Sequence, residues 1–445
     1  MKKNEWISIM ILAGAMGACT QTASDDNPVQ TLAVDHRHVA TAPYFTHDTN
    51  GIPVLCWTES DHIDSAYHLA FATYDPASGG FGATTVVTGS EGLGTSPESM
   101  GKVAFKDDGT IIAMFAKPFL HEKNRFAGAI YYTTSTDNGA SWSPPQFLHS
   151  DTARHYGRNF FDMARLGNGE IGAVWLDGRD TSVTGSTLYF AATAPGQGFG
   201  NETVLHRGTC ECCRTDLHID HAGTVHVAYR SLMYPPALFG QQVRDMAYVR
   251  STDHGASFSA QATISEDHWA IQACPHTGPT LAAHHDRLHA VWFTGGEPAG
   301  LYYAHSSAGH TTFGQRMLLS ATGSHPQAMA IGSDTVLVVY GNHGPSSAGG
   351  HGAHSHDHGS SGHHHGSTHG NMGIVLHPIV GGHPMKPTPI ASDRATNHHP
   401  VITQSGRHLL IAWVGEAPGK PPAIRVSRLN TDALTMVDSK TVPAP

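Results

Sequence analysis

The chain is poor in charged residues, and basic residues are the scarcer kind. Only 14% of its 445 residues are charged, with 26 lysines and arginines against 36 aspartates and glutamates and a formal net charge of −10. Proteins that bind nucleic acid electrostatically carry clustered basic residues. The composition therefore excludes a nucleic-acid partner.

Long apolar runs are also missing: after residue 19, no segment is apolar for long enough to cross a membrane as a helix. At the start of the chain, Lys2 and Lys3 precede a short apolar core from Trp6 to Ala13. This pattern predicts a signal peptide over residues 1–19 and a polar tether over residues 20–30.

The end of the predicted signal peptide suggests a lipid anchor. Small residues before Cys19 resemble the lipobox of bacterial lipoproteins, although Met16 stands where leucine is usual. We expect lipidation of Cys19, with ordinary cleavage near Ala18 as the alternative. The protein is then anchored in the bacterial cell envelope, in the periplasm or on the outer-membrane surface, and touches the membrane through its lipid alone. We expect a monomer, with an outer-membrane transporter as a candidate partner.

Cysteine is scarce, and half of it lies in one stretch. Three of the six cysteines fall within residues 210–213. If Cys19 is lipidated, five thiols remain, so at least one is unpaired or binds something. Exported cysteines usually form disulfides, and a bridge from Cys213 to Cys210 or to Cys274 is one interpretation. We favour the other, metal ligation.

One unit recurs through the chain, an apolar strand that ends on an aromatic residue and follows a polar turn. The aromatic residues are Trp57, Phe115, Trp175, Tyr229, Trp292, Tyr340 and Trp413. Repeats at this spacing are typical of propeller blades of four antiparallel strands. The sequence predicts an all-β fold, a β-propeller over residues 31–445 with seven four-stranded blades. Six blades and an irregular unit are the alternative, because the spacing is uneven.

Two turns, at residues 135–142 and 251–258, share the pattern S-x-D-x-G-x-x-W/F. In such a turn the aspartate caps backbone amides, the glycine takes a positive φ and the aromatic ring wedges between strands. These turns resemble the Asp-boxes of the sialidase-like (BNR-repeat) propellers. The resemblance implies the same fold, with a functional face where inner strands begin and second strands end.

Sulfur and imidazole recur at that expected face. Just ahead of four successive inner strands stand Cys213, Cys274, His325 and His399, which are metal-ligand types. We predict one mixed site at the propeller mouth, formed by Cys210, Cys212, Cys213, Cys274, His276, His325, His398 and His399.

A histidine-rich insertion over residues 343–370 follows the aromatic residue of the sixth unit. Its composition of histidine, glycine and serine cannot build a core and need not fold. Its candidate ligands are His351, His354, His356, His358, His363, His364, His365 and His369. We expect it to capture metal beside the mouth, and incidental affinity is the alternative. Thiolate with imidazole favours copper over zinc as the bound transition metal, with mercury left open.

An enzymatic function is left open, with no catalytic residue assigned. The resemblance implies a sialidase-like glycosidase, yet the motif F/Y-R-x-P that carries the first arginine of sialidases is missing. Four arginines map to the expected face and could bind an anion: Arg158, Arg179, Arg214 and Arg230. We therefore predict a metal-binding surface lipoprotein, and a glycoside hydrolase, a polysaccharide lyase or a glycan-binding module is the alternative.

Overall fold

A computed structural model describes residues 29–271, 273, 275–284, 287–307, 309, 312–343, 372–392 and 395–431. Apart from one short 3-10 turn at Pro236–Leu238, the regular structure in these residues is β-strand. The described part of the chain contains no helix with the length and apolarity needed to span a membrane.

The strands group into antiparallel sheets in chain order. Blade 1 contains β2 (Val39–His47), β3 (Pro53–Ser60), β4 (His68–Asp75), β5 (Gly80–Phe81) and β6 (Thr85–Val86). Blade 2 contains β7 (Lys102–Phe105), β8 (Ile111–Pro118), β9 (Gly128–Ser135) and β10 (Gln146–Phe147). Blade 3 contains β11 (Arg158–Arg165), β12 (Ile171–Asp177), β13 (Ser186–Ala192) and β14 (Thr203–Thr209). Blade 4 contains β15 (Asp216–Ile219), β16 (Val225–Met233), β17 (Val243–Ser251) and β18 (Ala262–Ser265). Because β14 pairs with β16 at one position, blades 3 and 4 form one continuous eight-stranded sheet.

The remaining strands form three further sheets. Blade 5 contains β19 (Thr280–His284), β20 (Arg287–Thr294), β21 (Gly300–His305) and β22 (Met317–Ser320). Blade 6 contains β23 (Gly323–Ile331), β24 (Thr335–His343), β25 (Met372–Val380), β26 (His383–Pro384) and β27 (Thr388–Ala391). Blade 7 contains β28 (Thr396–Ser405), β29 (His408–Glu416) and β30 (Ala423–Asn430), and its outer strand is β1 (Val29–Leu32).

The innermost strands contact one another in a closed cycle. β2 touches β7, β7 touches β11, and the succession continues through β15, β19 and β23 to β28, which touches β2 again. The pairing of β1 with β30 joins the start of the described chain to its last blade. The chain is therefore a β-propeller of seven blades, which confirms the predicted fold and removes the six-bladed alternative.

The hydrophobic core lies between the blades. Each of the seven interfaces between neighbouring blades holds its own buried cluster. The recurring aromatic residues sit in these layers, and the indole nitrogens of Trp57 and Trp292 donate to the carboxylates of Glu59 and Asp267, each over 2.7 Å. The repeat was thus a pattern of core residues, because every blade must bury both of its faces.

The two patterned turns have the expected geometry. Asp137 accepts from the backbone amide of Ser141 over 2.9 Å, and Gly139 has a φ of +85°. The ring of Trp142 packs edge-on against Phe71 of blade 1, with 6.3 Å between centroids. The second turn repeats this arrangement with Asp253 over 2.9 Å, a φ of +90° at Gly255 and Phe258 against Phe190.

A left-handed residue recurs at or just ahead of the inner strands. Positive φ values between 49° and 53° occur at Ala42, Phe160, His276, His325 and His399. In blades 1, 3, 6 and 7 this residue lies inside a register shift between the first and second strands. Such bulges re-aim side chains, and here they act at the end of the ring where the predicted site lies.

Candidate metal centre

The three clustered cysteines lie between blades 3 and 4. They follow β14 and directly precede β15, the inner strand of blade 4, which is the predicted position. Thr209 pairs with Ser231 of β16, and the amide of Cys210 donates to the Arg230 carbonyl over 2.9 Å. These backbone contacts fix the turn that carries the thiols.

We call Cys210, Cys212 and Cys213 the thiol cluster. All three are buried, and the Cys210 sulfur lies 3.6 Å from that of Cys212 and 3.5 Å from that of Cys213. A metal–sulfur bond of about 2.3 Å implies sulfur separations of roughly 3.8 Å in a tetrahedral site and roughly 4.0 Å in a trigonal one. The spacing therefore suits a bound ion with little movement.

The electrostatics of the thiol cluster favour a thiolate at Cys210. The pKa of Cys210 lies well below its usual range, because the thiols of Cys212 and Cys213 donate to its sulfur and Arg244 adds positive charge. The Arg244 guanidinium donates to the Cys210 sulfur over 2.9 Å and to Glu211 over 3.2 Å. Burial raises the pKa of Cys213 to about 12, so its proton must leave when a metal binds.

The second group of donors is formed by Glu98, His325 and His399, which we call the axial cluster. The Nε2 atoms of His325 and His399 lie 3.9 Å and 3.6 Å from Oε1 of Glu98, and the two imidazole centroids are 4.1 Å apart. His325 and His399 lie on the inner strands of blades 6 and 7, and Glu98 lies in the turn just ahead of the inner strand of blade 2. Because blades 2 and 6 are not neighbours in the ring, these side chains meet across its central axis.

Burial decides the charge of the axial cluster. Burial raises the pKa of Glu98 to about 7, against the opposing charge of Arg214. Burial, aided by the same guanidinium, lowers the pKa of His325 to about 3, and burial also lowers that of His399 well below its usual range. Both imidazoles are therefore neutral at neutral pH, the form in which a ring nitrogen can bind a metal.

The predicted single site is corrected in one respect. Within the described residues, two groups of three or more donor atoms lie within 4.8 Å of one another, the thiol cluster and the axial cluster. His325 and His399 therefore meet a carboxylate, Glu98, in place of Cys213. The physical reason is that the thiols sit on a turn bonded to blade 4, whereas the imidazoles are directed to the axis.

The other predicted ligands fall in different places. His398 bonds the Nδ1 of His399 with its own Nδ1 over 2.7 Å and reaches Glu416 with Nε2 over 3.1 Å, so it braces the axial cluster. His276 is exposed ahead of blade 5. Cys274, Cys19 and the tract from His351 to His369 lie outside the described residues.

The four arginines proposed as an anion site are engaged inside the fold. Arg158 binds Asp177 over 3.0 Å, and Arg179 binds both Asp177 and Glu202. Arg230 donates to three backbone carbonyls and lies 4.9 Å from the Trp269 ring centre, and Arg214 donates to the carbonyl of Pro326. This geometry does not support the predicted anion clamp.

Polar side chains from blades 1 to 4 enclose a small cavity beside Arg214. Lys102 of blade 2 lies 3.6 Å from Asp162 of blade 3, and the hydroxyl of Tyr44 donates to the same carboxylate over 3.2 Å. Burial raises the pKa of Asp216 to about 7 beside them. The cavity among these residues has a volume of about 10 Å³, room for about one water. A sugar ring does not fit there.

Sequence reasoning missed Glu98 and Arg244. Glu98 follows Ser96-Pro97, a segment that the repeat had already placed ahead of the inner strand of blade 2, so its position was available as a signal. Arg244 lies on β17, and nothing in its sequence surroundings indicates a contact with Cys210.

Comparisons with known proteins assign no family to the chain. No family model matches the chain, and no curated protein matches it in sequence. Among solved structures it is similar to a Dyadobacter fermentans protein of unknown function, with 14% identity, a TM-score of 0.48 and coverage of 75% of this chain and 94% of the other. It is also similar to the Ruminococcus gnavus intramolecular trans-sialidase, with 10% identity, a TM-score of 0.48 and coverage of 89% and 96%. A third similarity is to an α-L-arabinanase of Penicillium chrysogenum, with 14% identity, a TM-score of 0.44 and coverage of 75% and 93%.

Proposed function

We propose that this protein is an envelope-anchored propeller that binds a soft transition-metal ion, copper in its Cu(I) form, at the thiol cluster. The observation that carries the proposal is that three buried thiols within four residues lie within 4.8 Å of one another. Soft thiolate ligands select Cu(I) over hard cations, and zinc is the second choice.

The surroundings of the thiol cluster support this function. Three thiolates around a monovalent ion leave excess negative charge, which a buried site must compensate. Arg244 contacts the Cys210 sulfur directly. The ring of Phe160 packs against the three cysteines and limits the access of water.

The histidine-rich tract fits a role in delivering the ion. The tract leaves the fold after His343, the last residue of β24, and β25 begins again at Met372. Asn342 pairs with Gly323, the first residue of the inner strand of blade 6, so the tract departs from the end of the ring where inner strands begin. Imidazoles there would capture copper and raise its concentration near the thiol cluster. Lipidation at Cys19 and a transporter partner belong to the same proposal.

Copper binding by the full mature chain, purified without a histidine tag, tests the proposal. We expect about one Cu(I) per chain that resists a competing chelator, and its loss when Cys210, Cys212 and Cys213 are all replaced by serine. Cys56→Ser is the matched control, because Cys56 is a free buried cysteine outside the cluster. Equal tight Cu(I) binding by the triple variant and the parent would refute the assignment.

A carbohydrate-active enzyme is the second candidate. It is favoured by Glu98, a buried carboxyl at the mouth whose pKa is raised to about 7, as a general acid requires. Release of sugar from sialosides or acidic polysaccharides that is lost in Glu98→Gln would favour the enzyme over the metal-binding protein.

A further inference from the structure

The axial cluster has the features of a site in its own right. Glu98 is only 3% exposed, and the backbone amides of Gly278 and Arg214 approach its carboxylate without reaching full hydrogen-bond geometry. A buried carboxylate that is so weakly paired costs free energy unless a cation or a proton compensates it. Something that binds between Glu98 and its neighbours would remove that cost.

The spacing of the axial cluster suits a small cation. A metal bound at about 2.0–2.1 Å to each of three tetrahedral ligands places the donor atoms roughly 3.4 Å apart. The distances from Glu98 Oε1 to the two Nε2 atoms, 3.6 Å and 3.9 Å, exceed that value by a few tenths of an ångström. A small rotation of the side chains would close the gap.

The imidazoles are held in place by contacts on their other sides. His399 bonds His398 through Nδ1, and His398 is bonded in turn to Glu416. His325 contacts the hydroxyl of Ser324 through its own Nδ1 over 3.2 Å. Outer hydrogen bonds of this kind orient metal-binding histidines and direct the remaining nitrogen to the ion.

We propose that Glu98, His325 and His399 form a second site, separate from the thiol cluster, which binds a divalent cation of the zinc class across the propeller axis. Two imidazoles and one carboxylate favour Zn²⁺ or Cu²⁺ over the soft ion that thiols select. Three protein ligands leave one position open for water or an external ligand. Because the ligands come from blades 2, 6 and 7, the ion cross-links the ring and stabilises it.

The test uses the full chain in which Cys210, Cys212 and Cys213 are serine, so that thiols do not contribute. Zn²⁺ alone is titrated while the bound ions per chain and Tm are followed. We expect Tm to rise with Zn²⁺, and Glu98→Gln in this background to bind one ion fewer per chain and to lose the rise in Tm. Glu91→Gln is the matched control, because Glu91 lies 3.8 Å from one imidazole, that of His68, and is not part of a group of three donors within the described residues.

The outcomes separate this site from the tract and from the thiol cluster. If Glu98→Gln and its parent bind the same number of ions and gain the same Tm, the axial site is refuted. Zn²⁺ binding without any rise in Tm would assign the ion to the histidine tract and would also refute it. His399→Gln is the second variant and should behave like Glu98→Gln. Copper binding at the thiol cluster can fail or succeed independently, because that site is absent from this background.

Discussion

The thiol cluster and the axial cluster are built in opposite ways. The thiol cluster takes all its donors from residues 210–213, on one turn between two strands. The axial cluster takes its donors from blades 2, 6 and 7, which meet only because the ring is closed. The first is a local site that the fold shields, and the second is a site that the fold creates.

Unfolding the ring in urea should produce the largest difference in metal affinity between the thiol cluster and the axial cluster. Ligands close in sequence stay at high effective concentration in an unfolded chain, whereas distant ones do not. We expect the zinc affinity of the Cys→Ser background to exceed that of its Glu98→Gln form in buffer, and this difference to vanish in urea. In urea, the parent should still bind copper more tightly than its Cys212→Ser variant, by a measurable difference.

Competition titrations with a chelator at increasing urea concentrations provide the measurement. The difference between each variant and its parent cancels the histidine tract, which is common to both. A copper difference that vanishes together with the zinc difference would contradict the local construction of the thiol cluster.

A smaller effect concerns stability without metal. Burial raises the pKa of Glu98 from 4.5 to about 7, so the folded chain holds a proton that the unfolded chain releases. The free energy of unfolding therefore falls as the pH rises from about 4.5 to about 7, by at most about 3 kcal/mol. In chelator-treated protein, we expect Glu98→Gln to be more stable than the parent at pH 7.5 and to lose that advantage near pH 4.

Urea denaturation at several pH values measures this effect, with Glu91→Gln as the control. A stability difference that does not depend on pH would show that the Glu98 carboxyl is not titrating in the folded state. The thiol cluster should be insensitive to the substitution, since it shares no ligand with the axial cluster.

The smallest effect that we predict is on the positioning residue of the thiol cluster. Arg244→Met removes the donor to the Cys210 sulfur and keeps most of the side-chain volume. We expect Cu(I) affinity to fall about tenfold, as for other outer contacts of metal ligands. The pH midpoint of Cys210 alkylation should rise at the same time.

A second arginine supplies the comparison for that experiment. Arg207→Met replaces a more exposed arginine that is paired with Asp180 over 2.9 Å, and it should leave both readouts unchanged. If Arg244→Met lowers the affinity without moving the alkylation midpoint, the residue acts by packing and not by charge.

The number of blades could be predicted from the sequence because each blade buries one aromatic residue of its second strand against a neighbouring blade. Trp57 and Trp292 lie on the second strands of different blades, and each indole donates to a buried carboxylate. The recurring aromatic residue is visible in the sequence without any contact information. The thiol cluster was equally visible, since neighbours in sequence remain neighbours in space.

The axial cluster could not be predicted in full, for two physical reasons. Glu98 meets His399 only through closure of the ring, which no local pattern reports. The alignment of blade 5 was also shifted: proline follows the left-handed residue at His325 and His399, but it precedes His276 in the sequence. The prediction therefore aligned Cys274, which the structure does not describe, with His325 and His399. The left-handed residue of blade 5 is His276.

The pairing of β1 with β30 has a consequence for the order of events during synthesis. Among the described strands, the outer strand of blade 7 is made before all the others and its partner, Ala423–Asn430, after all the others. The circle therefore stays open until the last of these strands has been made. A nascent chain displays its sulfur ligands while it is still being extended, but it can offer the Glu98 and His399 pair to an ion only after the whole propeller has been made.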